Sequence, residues 1–354
     1  MRPVRVLVAE DSLTVRKRLV RALEADAGCE VVGEATDGDA AIELCARLRP
    51  DAISLDMVLP RRSGLAVTEH VMAFCPTPIL IVSASSERGE AFQTFEALAA
   101  GAVDVLDKPL GDADDHRWDA RFVTAVKLVS RIKVITHLRG RRRLAPGAPH
   151  AKQPAREPAG RYRLVAIGAS TGGPAALVEA LRPLPNSFPL PILLVLHIGA
   201  LFGEAFVGWL GDQISLPVAL AVDGAPLGTA GAPGLFMAPP DRHLVVRGGR
   251  LRLTTDAERH SCRPSVDVLF ESVAAQVGPE AIGCLLTGMG RDGAEGLLAM
   301  RRAGAMTLAQ DAASSTVFGM PREAIALEAA AQILSASEFG AALLMLSTSK
   351  KEKP

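Results

Sequence analysis

Ser170 stands in Gly168-Ala169-Ser170-Thr171-Gly172, directly after the apolar run Leu164–Ile167 and before an Ala/Leu/Val-rich stretch. A serine flanked two residues away by glycines, on a strand-to-helix turn too tight for a Cβ, has the spacing of a nucleophile elbow. A glycine-rich turn that opens a helix also cradles phosphates, so the motif alone leaves a phosphate- or dinucleotide-binding turn open. A base in reach would separate the two. Of the seven histidines, His197, His243 and His260 lie beyond residue 160. His197 directly follows Ile192–Leu196, at the carboxyl end of an expected neighbouring strand, and is the preferred base. His243 falls in a Gly/Pro-rich insertion and His260 in a charged stretch, and both read as surface residues. The carboxylate expected to hold the ring is Asp292, in the constrained loop Thr287–Ala294 after the run Ile282–Leu286. Asp311, after Ala305–Ala309, remains its competitor.

A second set of reactive residues occupies the first part of the chain. Glu10 and Asp11 close the apolar run Val4–Ala9, Asp56 closes Ala52–Leu55, Ser83 closes Ile79–Ser83, and Lys108 follows Ala102–Leu106 just before Pro109. Three carboxylates converging at one sheet rim repel each other unless a divalent cation neutralises them, and Mg²⁺ shared between carboxylates and phosphate oxygens meets that need. Asp56 is then the expected nucleophile, forming an aspartyl phosphate. Glu10, Asp11 and Asp56 are the expected metal ligands, with Ser83 and Lys108 facing the phosphoryl oxygens.

These positions require a scaffold. Residues 1–110 alternate five short apolar runs with helix-like segments, which predicts five βα units around a parallel sheet covered on both faces. In the first helix, Leu13, Val15, Leu19, Val20 and Leu23 form the expected apolar face. A periodic pattern over 112–138 predicts a closing helix. Residues 139–161 then hold Arg139, Arg141, Arg142 and Arg143 and four prolines, the composition of a tether. After Arg161 the βα rhythm resumes, interrupted between Val222 and Leu253 by an expected β-hairpin insertion that includes Leu235-Phe236-Met237 and the turn Gly248-Gly249. The expected division is a first domain over 1–138, a linker over 139–160, a second domain over 161–346 and a polar tail over 347–354.

Bulk properties agree with two ordinary cores. The 354 residues are 49% hydrophobic and 22% charged, a globular composition with room for two domains. Lys+Arg and Asp+Glu both number 39, so no net field draws the chain to nucleic acid or an anionic membrane. Five scattered cysteines without a C-x-x-C pair argue against a disulfide framework or zinc ribbon and for a reducing cytoplasm. The apolar stretch Leu190–Phe202 falls short of the roughly 20 residues of a membrane span, so no membrane insertion is expected.

Glu10-Asp11-Ser12, Leu55-Asp56-Met57, Pro60 with Gly64-Leu65, Val82-Ser83-Ala84 and Asp107-Lys108-Pro109 resemble the response-regulator receiver family. That resemblance implies a flavodoxin-like fold, Mg²⁺ binding, phosphorylation of Asp56 by a histidine kinase and switching of an output domain. Ser63, where an acidic residue is frequent, is a departure. Ile167–Pro174, Arg263–Phe270, Leu286–Ala294 and Val317–Ala324 resemble the catalytic domain of chemotaxis protein-glutamate methylesterases, the CheB family. This second resemblance implies a doubly wound α/β hydrolase-type domain without a cofactor and a Ser170, His197, Asp292 triad. It also implies an oxyanion donor in the backbone N–H of Met289 and an accessory Thr171. The implied activity is phosphorylation-activated removal of methyl groups from glutamate methyl esters of chemoreceptors, with glutamine deamidation beside it, by a monomer. Ile198-Gly199, the apolar segment Phe202–Leu210 and Cys262, where many relatives have histidine, depart from the pattern. All three read as touching substrate approach more than bond cleavage. The rival reading is a phosphorylation-dependent binding protein whose second domain keeps the fold without the chemistry.

Overall fold

A computed structural model describes residues 2–84, 88–109, 116–132, 134, 161–227 and 234–348. The expected linker, most of the expected tail and both ends of the predicted 112–138 helix lie outside these residues. Two compact units divide the chain, one over Met1–Ala145 and one over Pro146–Pro354.

The first unit is a five-stranded parallel sheet. Its strands β1 (Val4–Ala9), β2 (Cys29–Ala35), β3 (Ala52–Leu55), β4 (Ile79–Ser83) and β5 (Asp104–Asp107) lie in the order β2-β1-β3-β4-β5. Helices α1 (Leu13–Glu24), α2 (Gly38–Leu48), α3 (Gly64–Phe74), α4 (Arg88–Ala99) and α5 (His116–Val129) alternate with the strands. Val6 and Val8 point to one face and pack with Leu19, Leu23, Phe122 and Val126, the buried stripes of α1 and α5. Leu13 departs from the expected stripe: it is exposed, while Leu19 and Leu23 of the same helix are buried. Strand order reverses between β1 and β3, and in an open parallel sheet ligands bind in the crevice at such a point.

The second unit is a seven-stranded parallel sheet with an antiparallel hairpin. Its strands are β6 (Leu164–Ala169), β7 (Ile192–Leu196), β8 (Val218–Leu220), β9 (Leu235–Met237), β12 (Ala281–Leu285), β13 (Met306–Gln310) and β14 (Gln332–Leu334). They run in the order β14-β13-β12-β6-β7-β9-β8, with the hairpin formed by β10 (His243–Arg247) and β11 (Arg250–Thr254). Helices α6 (Gly173–Leu181), α7 (Gly203–Gln213), α8 (Val266–Gln276), α9 (Ala294–Arg302), α10 (Met320–Ala326) and α11 (Phe339–Thr348) surround the sheet.

The hairpin turn is at Gly248-Gly249, where φ is +58° and +67°, a pair of left-handed residues that suits the twist of two antiparallel strands. Leu235-Phe236-Met237 does not belong to that hairpin. It joins the main sheet as β9, pairing in parallel with β7 at Ile192↔Leu235. Three apolar residues carry no period that separates a buried parallel strand from a hairpin arm. The apolar segment Phe202–Leu210 is largely α7, whose Phe206, Trp209 and Leu210 are buried. Phe270 of α8 is fully buried in the second core with Leu164, Leu285 and Leu297, so truncating it to alanine costs about 3–5 kcal/mol.

Candidate active site

Strand β6 has β12 on one side and β7 on the other, so the second reversal of strand order falls at its carboxyl end, where Ser170 stands. The turn into α6 passes through Gly172 at φ +76°, where a Cβ would also lie 2.3 Å from the Thr316 side chain. Only glycine serves both constraints. Ala169 pairs with Leu196, and the His197 N–H donates to Ala169 O at 3.0 Å. Ser170 and His197 therefore leave adjacent strands at the same level, with Cα atoms roughly 5 Å apart. Among the described residues the Ser170 hydroxyl makes no hydrogen bond.

The imidazole is held from behind. His197 Nε2 lies 2.9 Å from Asp292 Oδ2. The same carboxylate accepts from Val266 N at 2.7 Å on Oδ2, and from Ser265 Oγ at 2.7 Å and Asp267 N at 3.0 Å on Oδ1. Those donors form the start of α8, with Ser265 as its N-cap, so a helix N-terminus and its partial positive charge grip the anion. Burial pushes Asp292 up, but the imidazole and these donors outweigh it and bring the group to about 2. Burial pulls His197 down; Asp292 on one nitrogen and Cys262 near the other outweigh it and lift the ring to about 9. Asp311, the competitor, accepts instead from Ser314 N and Oγ.

The loop after β12 closes the site. A Cβ on Gly288 would lie 2.8 Å from Ser170 Cβ and 2.2 Å from Met320 Sδ, so this loop packs against the nucleophile turn without a side chain between. The Ser170 N–H donates to Thr287 O at 3.0 Å. Thr287 Oγ1 accepts from Val317 N at 2.9 Å and lies 3.0 Å from Thr171 O, joining three loops. Met289 is exposed, and among the described residues its backbone N–H meets no acceptor. Val266 is the wedge of the arrangement: a Cβ on Gly168 or Gly293 would come within 2.2 Å or 2.6 Å of its Cγ1.

Two expectations need correction. His243 is fully buried, not a surface residue: its Nδ1 accepts from Ser265 N at 3.2 Å, leaving Nε2–H for Ala257 O at 3.1 Å. Packing of α8 over the hairpin covers it, which a Gly/Pro-rich context conceals. Cys262 does not merely border the substrate's approach, for its sulfur lies 3.9 Å from His197 Nδ1. Ser265, Asp267 and Thr287 were given no role from sequence. Of these, only Ser265 carried a local signal, a serine immediately ahead of an apolar helix. His260, half-buried, meets Asp267 at 3.1 Å.

In the first unit, Glu10 and Asp56 are buried and Asp11 is exposed, with one ligand atom from each within 4.8 Å of the others. Lys108 Nζ stands 2.9 Å from Glu10 Oε2 and 2.8 Å from Asp56 Oδ2. The Lys108 N–H donates to Ser83 O at 2.9 Å, and Trp118 Nε1 holds Asp107 O at 2.7 Å, so β4 and α5 fix the lysine's origin. Burial, and for Glu10 also repulsion from Asp56, raises both carboxyls above their usual range. Burial pulls Lys108 down, but the two carboxylates outweigh it and hold the ammonium above its ordinary value. Ser83 Oγ is buried without a partner among the described residues. Three hard oxygen donors with excess negative charge and an unanswered hydroxyl fit a divalent cation with a phosphoryl group. Ser63, the departure, is the N-cap of α3.

Residues 165–343 match the family model for CheB methylesterase, and residues 6–116 that for the response regulator receiver domain. Protein-glutamate methylesterase/protein-glutamine glutaminase 2 of Anaeromyxobacter dehalogenans is 43% identical over 342 residues, covering 97% of this chain and 96% of its own. The protein of the same description from Nitrosospira multiformis is 41% identical over 354 residues, covering 99% and 98%. The Thermotoga maritima CheB methylesterase catalytic domain, a crystal structure, is 32% identical with a TM-score of 0.49, covering 52% of this chain and 98% of that one. Identity above 40% to relatives matched over nearly the whole length, together with the two family-model matches, makes this chain, whose two sheets carry the reactive residues at their strand-order reversals, a member of the CheB methylesterase family with an N-terminal receiver domain.

Proposed function

We propose that the protein is a phosphorylation-activated protein-glutamate methylesterase that also deamidates glutamine, acting on chemoreceptors through Ser170, His197 and Asp292. The observation that carries this reading is the His197–Asp292 pair at the end of β7, one strand from the elbow serine. With Nε2–H committed to Asp292, Nδ1 is the nitrogen that takes the Ser170 proton. Ser170 Oγ attacks the γ-carbonyl of a glutamate methyl ester, and the oxyanion is received by the N–H of Met289, a contribution of about 3–4 kcal/mol. Thr171 supports the turn behind the nucleophile. His197 returns its proton to the departing methanol; water, activated by the same ring, then releases glutamate. A glutamine amide follows the same path with ammonia as leaving group.

In the receiver, Glu10, Asp11 and Asp56 are the residues that would hold Mg²⁺. When bound, it supplies neutralising charge for phosphoryl transfer to Asp56. Asp56 Oδ accepts the phosphoryl group from a histidine kinase, while Ser83 and Lys108 bind its oxygens. Five free thiols support a reducing cytoplasm as the place of action, and among the described residues no helix is long and apolar enough to cross a membrane. Methanol release from methylated receptor fractions tests the assignment: Ser170→Ala abolishes it if the serine is the nucleophile, and unchanged release favours the binding-protein reading.

A further inference from the structure

We propose that Cys262 and His197 form a site for a thiophilic divalent cation, Zn²⁺ foremost, whose binding silences the hydrolase. The proposal rests on the reading of His197 as the base. Cys262 Sγ lies 3.9 Å from His197 Nδ1, and each offers a ligand atom to a cluster with Asp292 that spans no more than 4.8 Å. Zn²⁺ bonds of about 2.3 Å to sulfur and about 2.0 Å to nitrogen span roughly 3.5 Å when they meet at a tetrahedral angle. The two donors, 3.9 Å apart, need to close by only a few tenths of an ångström to reach it, within the reach of a small turn of the Cys262 side chain.

A second feature points the same way. A zinc-bound histidine gives its other ring N–H to a carboxylate that fixes tautomer and orientation, and His197 does this with Asp292 at 2.9 Å. Asp292 itself remains an outer partner, since Ser265, Val266 and Asp267 also occupy its oxygens. Cys262 is half-buried and free, and among the described residues no other cysteine belongs to a cluster of this type. The thiolate selects Zn²⁺ over the Mg²⁺ that suits the all-oxygen receiver pocket. On binding, the thiol proton goes to solvent and water leaves the cation; Nδ1 then has no lone pair for the Ser170 proton.

The test uses the full-length chain in excess Mg²⁺, titrated with Co²⁺ for the thiolate-to-metal absorption band and with Zn²⁺ for methanol release. Expected are a Co²⁺ band that Cys262→Ser and Cys262→His both abolish, and Zn²⁺ inhibition that a chelator reverses. Cys262→Ser should weaken inhibition at least about tenfold, the loss that even outer partners of a ligating histidine produce, while Cys262→His retains it through the imidazole. Each variant is compared with its own metal-free rate. Absence of a Cys262-dependent band in the wild-type chain overturns the metal site and leaves the base assignment standing. A band without inhibition overturns the silencing and leaves the base assignment standing.

Discussion

Asp56 and Asp292 are both buried carboxylates at the carboxyl rim of a parallel sheet, yet their surroundings oppose each other. Asp292 meets a helix N-terminus, a hydroxyl and an imidazole, so its oxygens are saturated by the protein and its acid form is suppressed to about 2. Asp56 shares one lysine with Glu10, and burial raises it. Donors that fill every lone pair make a carboxylate an orienting group, whereas incomplete compensation leaves it ready for an incoming cation and phosphoryl group. Stability follows the same division. The raised Asp56 and Glu10 weaken the folded state as pH climbs through the carboxylate range, while the lowered Asp292 strengthens it above its usual 3.8.

The sharpest way to break the contrast is Asp292→Asn. Losing the anion behind His197 lowers kcat on the order of 10⁴-fold, read by methanol release; turnover near wild type would deny Asp292 its orienting role. Asp56→Asn removes the acceptor of the phosphoryl group, so the rate ratio with and without a small-molecule phosphodonor collapses from about 5–150-fold to one. Retention of the ratio would place the switch elsewhere. Because Asp292 and Cys262 lift His197 from 6.5 to about 9, only a minor neutral fraction can accept a proton at pH 7, and kcat/KM rises roughly tenfold per pH unit until it levels near 9. A plateau already at pH 7 would contradict this. The smallest effect belongs to Ser265→Ala, which deletes one donor to a charged acceptor and costs about 1.5–3 kcal/mol by denaturant midpoint. Asp292 stabilises above pH 3.8 and loses that contribution as pH falls through about 2, so the same variant also shifts acid unfolding to higher pH.

Much of this was legible in the sequence because strand ends are local events. Glu10, Asp56, Ser83, Ser170 and His197 each follow an apolar run, and the sheet brings such ends together without further instruction. What lay hidden depends on tertiary contact. Cys262 and His197 are 65 residues apart and meet only when the segment before α8 folds over β7. The burial of His243 depends on α8 covering a hairpin, and β9 is too short to display a period. Conversely, the apolar spacing of α1 includes Leu13, which the fold leaves in solvent.

Val266 sets limits on how this site can change. One branched side chain abuts Gly168 on the nucleophile's strand and Gly293 beside the aspartate's loop, while its own amide holds the carboxylate. Alanine at Gly168 collides with it, and a smaller residue at 266 removes the two closest of those contacts; Gly293, at φ +88° and with Leu285 Cδ1 also 2.6 Å from a Cβ, stays glycine in either case. Positions 168 and 266 should therefore behave non-additively, and routes between viable sequences that change residue 168 should pass through position 266 first, making substitution order matter as much as substitution identity.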